Sequence, residues 1–294
     1  MKKNPTGAGQ VKTNKRSKFG EIVHRLRQST PAMIALCFIL LLVLSAVFAP
    51  LIAPYDYAKQ DLANRFQMPN GSHLLGTDEF GRDILSRLIY GGRISLLVSM
   101  MAVAISVVFA LVLGATAGYF GGVYDTIIMR VLDVFMAIPG TLLTIVVAVA
   151  LGTSLLDTAI AIAVGSVPAL ARQLRASTLL IRDEEYIEAA KSFGASNFRI
   201  IRKHVLPNTL APVIVQVSLR LGKSITAIAG MSFIGLGIQP PTPEWGNMLS
   251  AGQQYIRSFW PMITFPGILI GLSMLAFNLF GDGLRDAMDP RLKR

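Results

Sequence analysis

Arg220 and Lys223 stand one helical turn apart inside a long apolar stretch, with no Asp or Glu within 20 residues on either side. Cations placed this way need a water-filled cavity, a neighbouring chain or an interface reached by snorkelling. The chemistry open to them is attraction of an anion. The expectation is that Arg220 faces a path through the molecule and draws a carboxylate, with Lys223 beside it; a contact to a neighbouring chain is the competing reading. Arg130 and Asp133 are spaced i, i+3, which on one helix predicts a structural ion pair. Gly222-Lys223-Ser224 looks like the end of a phosphate-binding loop, but Val217 stands where that loop requires glycine, and the setting is an apolar helix. Nucleotide binding by this chain is therefore rejected. The single cysteine, Cys37, lies in an apolar run, and His24, His73 and His204 are scattered without metal-site spacing. No catalytic constellation, metal site or cofactor is expected.

The elements that hold these residues follow from composition. Of 294 residues, 52% are hydrophobic and 15% charged, and mean hydropathy is +0.54. A soluble chain carries roughly a quarter charged residues, so this one lacks the polar coat of a soluble domain. The net charge of +11 suggests nucleic acid until the charges are located. They fall in gaps between apolar runs, the pattern of a polytopic membrane protein. A crossing helix needs about 20 apolar residues, and six spans fit: 32–53, 94–118, 129–151, 155–174, 209–232 and 262–281. The fourth is read as a short helix ended by snorkelling Arg172. The fold class is all-α.

An even number of spans puts both termini on one side. That side then holds 19 Lys and Arg residues against six on the other. The positive-inside rule makes it cytoplasmic. Residues 1–30 form a basic cytoplasmic tail leading into a retained signal anchor, with 1–19 disordered and at most touching anionic lipid. Residues 31–93 hold the first span and an extracytoplasmic loop with an interfacial helix. Residues 94–283 form a core of five helices, including a cytoplasmic loop at 175–207, and 284–294 form a cytoplasmic tail.

The segment Ile181–Pro207 reads IRDEEYIEAAKSFGASNFRIIRKHVLP. Asp183, Glu184 and Glu185 open a helix where its dipole favours anions. Tyr186, Ile187, Ala190 and Phe193 recur at helical spacing, Gly194 stops the helix, and Ser196 caps a second one over Asn197–His204. Phe198, Ile201 and Val205 share one side of it, and Pro207 ends it. The result is a knob on the cytoplasmic face whose small Ala189 and Ala190 admit a close partner. An amphipathic pair resting on lipid is the alternative from pattern alone.

Glu188-Ala189-Ala190, three residues, Gly194, nine residues, then His204-Val205-Leu206-Pro207 resembles the EAA motif of ABC-importer permeases, with His204 where that motif has Ile. In that family the loop docks on an ATPase subunit and passes its closure to the spans. Three further stretches are similar to C-type permeases of the dipeptide/oligopeptide/nickel importer family. They are HLLGTDEFGRDILSRLIYGGRISL from His73, IGLGIQPPTPEWGNML from Ile234 and AFNLFGDGLRDAMDPRLK from Ala276. The first also reads as an interfacial helix, with Ile84, Leu85, Leu88 and Ile89 on one face, Arg82, Asp83, Arg87 and Arg93 toward water, and Gly76, Gly81, Gly91 and Gly92 at turns.

The resemblance implies a type I ABC-importer transmembrane domain in the bacterial inner membrane. Its expected partners are a paralogous permease, two ATP-binding subunits that hold ATP and Mg, and an extracytoplasmic binding protein; no nucleic acid is expected. The implied cargo is a dipeptide or oligopeptide, with nickel, a metal chelate or glutathione as alternatives. Met231 and Phe233, in the small-residue stretch Ala229–Gly237, are expected beside Arg220 and Lys223 along the translocation path. The rival class is an ion-coupled secondary transporter or channel. It calls for intramembrane acids and an internal repeat, and Asp133 is the one candidate acid.

Overall fold

The computed structural model describes residues 18–288, and their regular structure is helical, apart from one isolated bridge between Thr77 and Asp83. The helices are α1 (Lys18–Gln28), α2 (Thr30–Val47), α3 (Ala49–Ile52), α4 (Ile84–Phe120), α5 (Gly122–Met136), α6 (Gly140–Leu151), α7 (Leu155–Arg182), α8 (Glu185–Ser192), α9 (Asn197–Ile200), α10 (Leu206–Phe233), α11 (Trp245–Gln253) and α12 (Pro261–Met288). Five of them, α2, α4, α7, α10 and α12, are long and apolar enough to cross a membrane. Large apolar side chains such as Leu41, Val108, Phe109 and Val146 stay exposed on the outside of the bundle, as lipid-facing surfaces require.

The expected third span is not one straight helix. It is α5 followed by α6, bent by 87°. Pro139 explains the break: its ring disfavours helical backbone at Ile138, it has no N–H to donate, and it serves as the N-cap of α6 with ψ 128°. The second span begins ten residues earlier than the charge-free run suggested, because the amphipathic stretch from Ile84 runs straight into it as a single helix of 37 residues. Asp83 caps that helix, its side chain accepting from the Ser86 N–H. The fourth span extends to Arg182 and opens with a capping box between Ser154 and Asp157. The N-terminal segment is helical from Lys18 onward, with Arg25 paired to Glu21 at 2.7 Å. The tail expectations for 1–17 and 289–294 lie outside the described residues.

Small residues bring the helices together. A Cβ added at Gly114 of α4 would stand 2.4 Å from the Ala171 carbonyl oxygen of α7, and one at Gly118 would stand 2.8 Å from Thr178. Gly283 of α12 lies equally close to Ala32 of α2. These contacts place the start of α2 and the ends of α4, α7 and α12 at one end of the bundle, with the start of α10. At the opposite end, α11 wedges between α4 and α10. Trp245 is 1% exposed and its indole N–H donates to the Leu88 carbonyl at 2.9 Å. Gly91 and Gly92 are therefore not turn residues. They lie inside α4, where a Cβ at Gly92 would meet the Trp245 ring at 2.8 Å.

Candidate functional site

Three groups of polar residues are set on this frame: a knob at one end, a charged cluster at the other, and a cavity between. The knob is built on α8, α9 and the start of α10. Gly194 has φ +74° with open space around it, so backbone conformation alone demands glycine there. Ser196 caps α9, accepting from the Arg199 N–H. The second helix does not end at Pro207 as expected. Residues 201–205 form a π-turn that runs directly into α10. Pro207 accounts for it: it cannot donate to the carbonyl four residues back, and its ring crowds that group, so a wider turn takes up the register.

Ile187, Ile200 and Val205 are fully buried around Tyr119 of α4. The Tyr119 hydroxyl donates to Asn197 Oδ1 at 2.9 Å. Tyr119 went unnoticed in the sequence because its partners are some 70 residues away, and an aromatic residue at the end of an apolar run carries no signal of its own. Glu188, Ala189, Gly194 and Pro207 are exposed, and Ala190, His204 and Leu206 are half-buried. Phe193, in helical register with Ala190, and Phe198, grouped by spacing with Ile201 and Val205, are 91% and 73% exposed. The knob thus presents two aromatic rings beside its small alanines.

At the far end, Arg82, Asp83 and Arg87 do not face water. They are buried at 6%, 3% and 5% exposure beneath the 54–83 loop and α11. Asp78 is the hub. Its carboxylate accepts from Arg82 Nε at 2.6 Å and lies 3.4 Å from Arg87 Nε. Asp83 accepts from the Ser86 hydroxyl and pairs with His73 Nδ1 at 2.9 Å. Glu79 accepts from Arg82 at 3.2 Å, and burial, with the Asp78 charge next, pushes its carboxyl above the usual range. Nearby, buried Glu244 caps α11 and accepts from the Ser95 hydroxyl at 3.0 Å.

Between these ends, a cavity of about 560 Å³ is lined by α4, α6, α7, α10 and α12, and Arg220, Lys223 and Met231 all border it. Phe233 does not; two residues along a helix from Met231 it turns to another face, and its carbonyl accepts from Ser250 at 3.2 Å. Arg220 Nη1 donates to the Ser166 carbonyl at 3.4 Å. The anticipated Arg130–Asp133 pair is absent among the described residues. Asp133 pairs instead with Arg172 of α7, and Asp125 with Arg175 at 2.5 Å. Both carboxylates lie along α5 toward the packed helix α7, while Arg130 is exposed. This also removes Asp133 as a free coupling acid.

This architecture is that of a polytopic α-helical permease. Its fold resembles a solved structure of the MetNI methionine ABC transporter in an inward-facing form, with TM-score 0.57 and 19% identity over 70% of this chain and 98% of that one. Residues 110–294 match the binding-protein-dependent transport system inner membrane component, and residues 17–69 the N-terminal TM domain of oligopeptide transport permease C. The chain belongs to the family of inner-membrane permeases of binding-protein-dependent ABC importers. It is 45% identical to the dipeptide transport system permease protein DppC of Alkalihalophilus pseudofirmus, over 94% of this chain and 91% of the relative. It is 43% identical to the glutathione transport system permease protein GsiD of Escherichia coli O157:H7, over 95% and 92%. Membership makes it a multi-pass inner-membrane permease that works with ATPase and substrate-binding subunits rather than an enzyme in its own right.

Proposed function

We propose that this chain is one half of a heteromeric permease that imports short peptides, driven by ATP hydrolysis in separate subunits. The observation that carries this reading is the knob: α8 and α9 are packed on Tyr119 and joined through a π-turn to α10, which borders the central cavity. A partner that grips the exposed Glu188, Ala189, Phe193 and Phe198 would pull on α10 without an intervening loop. The excess of basic residues at the knob end supports a cytoplasmic position for it and for both termini. A paralogous permease would cover the open side of the cavity, lipid the outer apolar faces, and the partner ATPases would hold ATP and Mg. The relatives named for dipeptide and glutathione transport both point to peptide cargo.

The test is ATP-dependent uptake of a labelled dipeptide by the full complex in proteoliposomes. Gly194→Pro imposes a negative φ where +74° is required, and Glu188→Lys reverses a charge on the docking face. Both are expected to release the ATPase subunits in pull-down and abolish uptake. Peptide import without ATP hydrolysis, or normal ATPase binding and uptake in both variants, would refute the proposal.

A further inference from the structure

The cavity beside α10 contains polar atoms that nothing in the fold uses. Arg220 Nε and Ser224 Oγ are buried, and neither has a hydrogen-bond partner among the described residues. The two residues are spaced i, i+4, so they lie one above the other on one face of α10, and both line the cavity. Their surroundings are mainly apolar, with Ala102, Ile145 and Met231 among the walls. Buried polar groups are ordinarily paired, and an orphaned one carries the full cost of its lost hydration. Arg220 as a whole is half-buried, and a cation whose Nε is kept under those conditions needs a reason outside the helix.

We infer that this cavity is a cargo subsite in which Arg220 binds a carboxylate of the transported peptide, with the Ser224 hydroxyl donating a further hydrogen bond. The inference rests on the peptide-import reading and names the group recognised. Size, charge and geometry agree on it. A volume near 560 Å³ falls within the roughly 300–1,000 Å³ of small-ligand sites. Among the described residues, Arg220 and Lys223 are the charged residues of the lining and no carboxylate accompanies them, so the field there selects an anionic group and repels a bare metal cation. A guanidinium edge matches the two oxygens of a carboxylate, and apolar walls strengthen the attraction. The Ser166 carbonyl, 3.4 Å from Nη1, holds the side chain in place and leaves Nε free to donate.

The test crosses residue with cargo in the assembled transporter. Uptake of a dipeptide with a free C-terminus is compared with uptake of its C-terminal amide, in wild type, Arg220→Gln and Arg220→Lys. Recognition by the binding protein is common to all three, so it cancels from the comparison. Arg220→Gln is expected to slow free-acid uptake by about 10-fold or more, as loss of a charged hydrogen bond implies. It should change amide uptake little, and Arg220→Lys should recover part of the loss. Equal slowing of both cargoes would mark Arg220 as merely structural and overturn the inference. Failure of the wild-type complex to import either peptide would instead overturn the peptide reading. A second measurement uses Arg220→Cys in a Cys37→Ala background, labelled with a thiol reagent during turnover. Saturating free-acid dipeptide should protect the thiol, and labelling unaffected by cargo would also overturn the inference.

Discussion

The buried charged cluster around Asp78 and half-buried Arg220 on α10, whose Nε is shut off from water while neighbouring Lys223 stays exposed, are built on opposite principles. Around Asp78 every buried charge meets another: Arg82, Arg87, Glu79, and alongside them His73 with Asp83. On α10, Arg220 has one long hydrogen bond to a carbonyl and no acid partner among the described residues. In the first arrangement each charge has an opposite partner, although Glu79 Oε2 is without a hydrogen bond among the described residues, so its members hold the 54–83 loop onto α4 and α11. The second is open, so its stabilising partner has to come from elsewhere. Burial alone does not separate structural charge from functional charge; whether each charge meets an opposite one does.

Removing the hub should give the largest effect. Asp78→Ala leaves two buried guanidinium groups without their carboxylate and is expected to cost about 3–5 kcal/mol, read as a sharp fall in the thermal unfolding midpoint of the purified complex. A hub variant as stable as wild type would erase the contrast. Asp125→Asn breaks a pair whose arginine is 30% exposed, and solvent screening reduces the expected loss to about 1 kcal/mol in the same assay.

Glu79→Gln should act through pH. The folded carboxyl titrates above its ordinary value, so its contribution is complete below the unfolded value near 4.5 and is lost as pH rises through the raised folded value. The glutamine variant should therefore lose less stability than wild type across that rise, seen as a flatter plot of unfolding midpoint against pH. Smallest of all, Arg220→Met is expected to leave the midpoint equal to or slightly above that of wild type, since it removes a half-buried cation that has no acid partner among the described residues rather than breaking an ion pair. A drop as large as that of the hub variant would show Arg220 to be a structural residue and reverse the comparison.

The sequence made the long helices readable because length without charge is a local property. It also exposed the knob, since Gly194, Ser196 and the spacing of Ile187 act within a few residues. Long-range partners were hidden. Arg82, Asp83 and Arg87 read as solvent-facing because their amphipathic helix looked isolated, whereas α11, some 150 residues later, covers it through Trp245. Arg130 was the obvious mate for Asp133 by spacing, but α7 supplied Arg172. The bend at Pro139 was lost in hydropathy that stays high on both sides of it. At the cavity, Arg220, Lys223 and Met231 were legible as misplaced cations with a small-residue neighbour. Ser224 was not, because one serine in a span carries no signal until its hydroxyl is seen without a mate.

The seat of Trp245 has a mechanical consequence. Its indole is bonded to the Leu88 carbonyl, Glu244 is bonded to Ser95, and a Cβ at Gly246 would collide with the Ala229 backbone at 2.4 Å. Helices α4 and α10 are therefore pinned to a common wedge at the end remote from the knob. Any swing of one against the other has its fulcrum there, and its amplitude grows toward the knob.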